Sequence, residues 1–137
     1  MKGEKNLTKM LQQLNPKLEE AEYVFCSVPV DQALDLADRA AGWFNEQEGV
    51  TLILKKSAAD IQNLDYGPIF RKITLTVHSS LTAVGLLAEV TGALARAQLS
   101  VNVVSAYYHD HIFLEKDAAN QALKILKELS RSARIRH

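Results

Sequence analysis

Residues 71–105 read RKITLTVHSSLTAVGLLAEVTGALARAQLSVNVVS, and the fold turns on this stretch. Ile73, Leu75 and Val77 alternate with Thr74 and Thr76, the period of two by which a strand lays one face on a core. From His78 to Gly85 the chain turns small and polar. Beyond it Leu87, Val90, Leu94 and Ala97 recur at helical spacing, which predicts an amphipathic helix ending near Gln98. Val101, Val103 and Val104 open a further β-rich run. The order is strand, glycine-containing loop, helix, strand: a βαβ core.

Downstream, Val101–Tyr108 and Ile112–Glu115 form a hairpin around His109 and Asp110. A last helix buries Ala118, Ala119, Ala122, Leu123, Leu126 and Leu129, with Asp117 as its cap. The order β-α-β-β-α is most of a ferredoxin-like unit, an antiparallel sheet with its helices on one face. Its fourth strand is either a short run around Ile135 or a strand lent by the first half of the chain. The tail, Arg131–His137, is basic and poor in apolar residues.

Upstream, Leu7, Met10, Leu11 and Leu14 mark a short amphipathic helix that Pro16 stops, expected to act as a lid or dimer arm. An acidic patch, Glu19, Glu20 and Glu22, precedes a strand over Tyr23–Val28, which holds Cys26 as a small buried hydrophobe. Ala33, Leu36, Ala37, Ala40, Trp43 and Phe44 read as one helix face, opened by Asp31 and closed by Gly49. Val50–Leu54 is a short strand, Ser57–Leu64 a weak helical run, and Tyr66-Gly67-Pro68 a turn. The division expected is a helical arm over 1–20, an incomplete first unit over 21–68 and a second unit over 69–137.

The 137 residues carry 16 basic and 16 acidic side chains, so no global field draws the chain to nucleic acid or anionic membrane. Hydrophobic residues make up 47%, enough for a core. One cysteine excludes a disulfide framework or thiolate zinc cage within the chain. No apolar stretch approaches the roughly 20 residues of a spanning helix, and the N-terminus lacks the apolar core of a signal peptide. The expected setting is the reducing cytoplasm.

The strings ITLTVHSSLTAVG and GALARAQLSVNVVSAYYHDHIFLEKDAANQALKIL resemble the ACT domain family, small ligand-binding regulatory modules of βαββαβ topology. More narrowly, EYVFCSV, EGVTLIL, VHSSLTAVG and YYHDHIF together resemble bacterial proteins that carry two ACT-like units in tandem, with no assigned ligand. The arrangement is also distantly similar to the tandem modules of the animal cytosolic arginine sensors. The resemblance implies an α+β fold of two ACT-like, ferredoxin-like units. One departure stands out: many ACT domains place an aspartate followed closely by Pro-Gly in the first loop. Here His78 takes the aspartate's approximate place, and Ala83-Val84 precede Gly85.

The loop His78-Ser79-Ser80 offers an imidazole, two hydroxyls and backbone amides just ahead of a helix N-terminus, groups suited to an amino acid's carboxylate. The same hydroxyls, with Thr82, would equally serve to cap the helix and satisfy the turn. Val84 and Gly85 complete the candidate ligand loop. Asn102, expected beside the first strand of the unit, is the sixth candidate. It reads either as a ligand contact or as an edge-strand polar residue. His109 and His111, with Asp110 and His78, form the alternative of a metal site for a hydrolase or lyase.

The function expected is a non-enzymatic sensor that binds an amino acid or similar carboxylate at a unit interface, without cofactor. A homodimer is expected, with ligand and assembly linked. A purely structural oligomerisation module is the other alternative.

Overall fold

A computed structural model describes residues 3–135. Along the chain run α1 (Leu7–Gln12), β1 (Pro16–Val28), α2 (Val30–Leu36), β2 (Ala40–Glu46), β3 (Gly49–Lys55), α3 (Lys56–Ile61), β4 (Phe70–Leu75), α4 (Leu86–Arg96), β5 (Asn102–Ser105), β6 (Asp110–Glu115) and α5 (Ala119–Ile135). The chain divides into two compact units, one made of Met1–Glu19 with Arg71–His137, the other of Glu20–Phe70. The boundaries fall inside β1 and β4.

In the unit of residues 20–70 the strands lie in the order β2-β3-β1, all neighbours antiparallel. Val24, Cys26 and Val28 alternate along β1 toward a core shared with Ala33, Leu36, Leu52, Leu54 and Ala59, so α2 and α3 cover one sheet face. Burial and the charge of Asp65 push the Cys26 thiol up, which keeps it a neutral core group. The single long helix expected through Phe44 is corrected here. The helix stops at Leu36, a 3₁₀ turn covers Ala37–Arg39, and Ala40–Glu46 is a strand. Gly42 approaches Ile53 so closely that an added Cβ would lie 2.9 Å from Cδ1, while Trp43 and Phe44 suit a pleated edge. Gly49 opens β3 rather than closing a helix.

In the other unit the order is β4-β6-β5, with the opening residues of β1 beside β4. Thr76 donates from both its amide and its Oγ1 to the Asn15 carbonyl, and Arg71 donates from Nε and Nη2 to that of Glu19, at 3.0 and 2.8 Å. The fourth strand is therefore supplied from the start of β1; Ile135, the other candidate, belongs to α5. The expected start of β1 at Tyr23 was seven residues late, since it opens at Pro16.

Helix α1 is capped by Asn6, whose side chain accepts from the Lys9 amide at 3.0 Å. It is not a free arm. Met10 and Leu14 have no exposed surface and pack with Ile73, Leu75, Val90, Leu94, Leu114 and Leu126. Asn15 then takes a left-handed turn at φ 42°, which Asn tolerates, and redirects the chain into β1. At the other end, a 3₁₀ turn over Lys116–Ala118, which contains Asp117, leads into α5. Of the basic tail, Arg136 and His137 lie outside the described residues.

Candidate functional site

The alternation that buries Ile73, Leu75 and Val77 ends where the chain reaches His78. The loop that follows is gripped from the N-terminal side. The Glu4 amide donates to the His78 carbonyl at 2.8 Å and the Ser80 amide to the Glu4 carbonyl at 3.0 Å, a parallel bridge of Glu4 with Ser79. This approach requires glycine at position 3, where a Cβ would sit 2.4 Å from the Ser79 carbonyl carbon.

Of the three loop hydroxyls, those of Ser80 and Thr82 serve the loop and that of Ser79 turns to Asp110. Ser80 Oγ accepts from the Thr82 amide at 3.2 Å and lies 3.0 Å from Thr82 Oγ1, and the Ala83 amide donates to the Ser80 carbonyl at 2.9 Å. None of them caps α4. The position before the helix is Gly85, left-handed at φ 96°, with no side-chain hydrogen bond to the first turn. The amides that open an α-helix lack intrahelical partners and carry the positive end of its dipole. Here that end is left open.

It opens into a cleft of about 140 Å³ walled by Ser79, Ser80, Gly85 and Leu86–Ala88 on one side and by Ser105, Ala106 and Asp110 on the other. Asp110 begins β6 on the same sheet face as the core residues Ile112 and Leu114, is only 7% exposed, and accepts one long bond from Ser79 Oγ at 3.4 Å. An anion-seeking helix end and a carboxylate thus share one small space.

Of the six residues expected at the site, Ser79, Ser80 and Gly85 line the cleft. His78 does not; its ring stands 5.1 Å from that of Tyr108, whose neighbour Tyr107 lies 5.0 Å further on. Val84 is 82% exposed and outside the walls. Asn102 lies exposed on β5, paired with Phe113, and β6 separates it from β4, which corrects its expected place beside the first strand. Asp110 is the wall residue whose place the sequence reading missed. Counting back by twos from Leu114 would have put it on the core face.

The histidines do not assemble. His109 Nδ1 donates to the Val77 carbonyl at 3.3 Å. His111 Nδ1 is 2.9 Å from Thr74 Oγ1, which itself donates to Glu19 at 3.2 Å, and Glu19 pairs with Lys72 at 3.1 Å. Thr74 therefore accepts from His111, and the imidazole is held in one tautomer. Burial, then the charges of Lys72 and His109, lower the pKa of His111. Among the described residues no three His, Cys, Asp or Glu side chains converge to hold a metal ion. The geometry gives the metal-dependent alternative no support.

The fold defines a class: a chain of two small α+β units in tandem. Models of the ACT domain match residues 2–71 and residues 69–128, and the chain belongs to the ACT domain family, with two such domains in succession. ACT domains are typically regulatory ligand-binding modules. Among solved structures, the chain is similar to a protein of unknown function from Vibrio cholerae, described as a possible transport protein. The two share 42% identity over 90% of this chain and 95% of that one, with a TM-score of 0.80. An Agrobacterium tumefaciens protein has the same fold at 13% identity, TM-score 0.69, over 84% of this chain and 87% of that one. The regulatory subunit of aspartate kinase from Thermus flavus has it at 10% identity, TM-score 0.60, over 83% and 95%. No curated protein matches the chain.

Proposed function

We propose that this protein is a non-catalytic regulatory module that binds a free amino acid, or a carboxylate of similar size, in the cleft between the loop Ser79–Gly85 and the start of β6. One observation carries this reading: the uncapped N-terminus of α4 and the carboxylate of Asp110 line the same cleft. A zwitterion answers both, its carboxylate at the helix amides and its ammonium at Asp110. His78, Val84 and the Tyr107–Tyr108 pair stand outside the cleft walls, and in this reading they would be the groups to meet a ligand side chain. Asn102 has no part in this reading. The family membership supports a regulatory role, and aspartate kinase regulatory subunits with the same fold make amino acids the natural first class to test.

A thermal-shift screen tests the reading with matched triplets: each amino acid, the amine lacking its carboxylate, and the keto acid lacking its ammonium. Stabilisation follows the mass-action relation, about 2.7 kcal/mol when ligand exceeds Kd a hundredfold. The expected result is a shift with at least one amino acid and with neither of its partners. Equal shifts from the keto acid would remove Asp110 from the reading.

The working form we propose is a cytoplasmic homodimer. The edge strand β2 exposes Phe44 by 70% and Trp43 by 37%, an apolar edge that a second copy would cover. Light scattering of the intact chain checks this, a dimer being expected and a strict monomer contradicting it.

A further inference from the structure

We propose a second binding site in the unit of residues 1–19 and 71–137, a receptor for a small phosphate-bearing dianion, built on α5. Lys127, Arg131 and Arg134 fall at i, i+4 and i+7, one stripe of the helix, and line a depression of about 350 Å³ completed by Asn15, Pro16 and Ser130. In a chain of zero net charge this is a concentration of cations. Two observations distinguish it from a solvated helix face.

The first is rigidity. Arg134 Nη1 donates to the Gln12 carbonyl at 3.0 Å and to Ser130 Oγ at 2.8 Å. Ser130 is 3% exposed and gives its own proton to the Gln12 carbonyl at 3.2 Å. The guanidinium is held in place before any ligand arrives, so little side-chain entropy remains to be lost on binding. Its Nε and Nη2 hydrogens make no hydrogen bond among the described residues, leaving a fork suited to an oxyanion.

The second is the charge balance. Among the described residues Glu128 is the one carboxylate bonded to any of these cations, and it accepts from Arg131 Nε at 2.9 Å and from Nη2. Lys127 makes no ion pair among the described residues. Among the described residues, three cations against one bonded carboxylate leave a surplus of two positive charges. A monocarboxylate would leave one of them unmet. Inorganic phosphate, a phosphomonoester or pyrophosphate would meet both. The absence of an overall basic field favours a compact ligand over a nucleic acid strand.

The test is isothermal titration of the full chain with inorganic phosphate, pyrophosphate, a nucleoside triphosphate and a single-stranded oligonucleotide. Saturable one-to-one binding of at least one of the first three is expected. Lys127→Ala, a change on an exposed side chain, should weaken it about tenfold, the worth of one charged hydrogen bond. Arg131→Ala, whose cation is already shared with Glu128, should weaken it less. Circular dichroism verifies that both variants are folded. Absence of heat with all three small probes, or equal affinity in wild type and Lys127→Ala, would overturn the site. Binding of the oligonucleotide alone would overturn its assignment to a small ligand. Since no residue is shared with the amino-acid cleft, Asp110→Asn should leave phosphate binding unchanged.

Discussion

Replacing Leu14 by alanine tests whether the N-terminal helix region is core or appendage. Leu14 has no exposed surface and lies among Ile73, Leu75 and Val90. The substitution removes three carbons, about 2.4 kcal/mol of transfer free energy at roughly 0.8 per methylene. The space left behind adds a cavity cost, bringing the total to about 3 kcal/mol, inside the usual range for buried leucine. For a chain of this size that corresponds to a melting point lowered by roughly 10 °C. Urea denaturation followed by circular dichroism measures it, with an unchanged m-value marking a change in stability alone. Leu81→Ala, at a side chain 64% exposed, is the control and should change stability by less than about 0.5 kcal/mol. A cost below about 1 kcal/mol for Leu14→Ala would refute the core assignment and restore the free arm.

The loop and the sheet offer two further tests. Gly3→Ala puts a methyl 2.4 Å from the Ser79 carbonyl carbon, so the strap at Glu4 should detach and the Ser80 amide should exchange its hydrogen faster; unchanged protection would contradict the clamp. His111 has a folded pKa below its unfolded value of about 6.5, so the unfolded chain binds the extra proton first. Stability should therefore be fully present above that value and fall as pH drops below it toward the folded pKa. An NMR titration of the His111 ring with a midpoint above about 6.5 would reverse the sign.

Local pattern carried much of the fold. Strand β4, helix α4 and the β5–β6 hairpin were legible because their alternation and helical spacing each sit within a single element. The error at β2 has a local cause: Ala40, Trp43 and Phe44 fall at helical spacing from Leu36, and that spacing cannot register the contact of Gly42 with Ile53. The early start of β1 was masked by Glu19, Glu20 and Glu22, read as a surface patch although Glu19 is engaged by Thr74 and Lys72 across the sheet. The place of Met10 and Leu14 depends on residues some sixty and more positions away, a pairing that periodicity does not encode. At the site, Ser79, Ser80 and Gly85 were legible from the strand-loop-helix order. Asp110 was taken for a turn residue, and Asn102 was misplaced because the strand order, with β6 between β4 and β5, is a property of the assembled sheet.

The most direct measurement of the amino-acid reading is a ¹⁵N–¹H spectrum of the protein titrated with the amino acid that gives the largest thermal shift. The amides of Leu86, Leu87 and Ala88, which open α4 without a cap, should move together with those of Ser79 and Asp110 and saturate along one binding curve. In Asp110→Asn the same titration should require at least about tenfold more ligand, because a charged partner of the ammonium has been removed. Saturable binding that shifts residues elsewhere and leaves Leu86–Ala88 in place would contradict it.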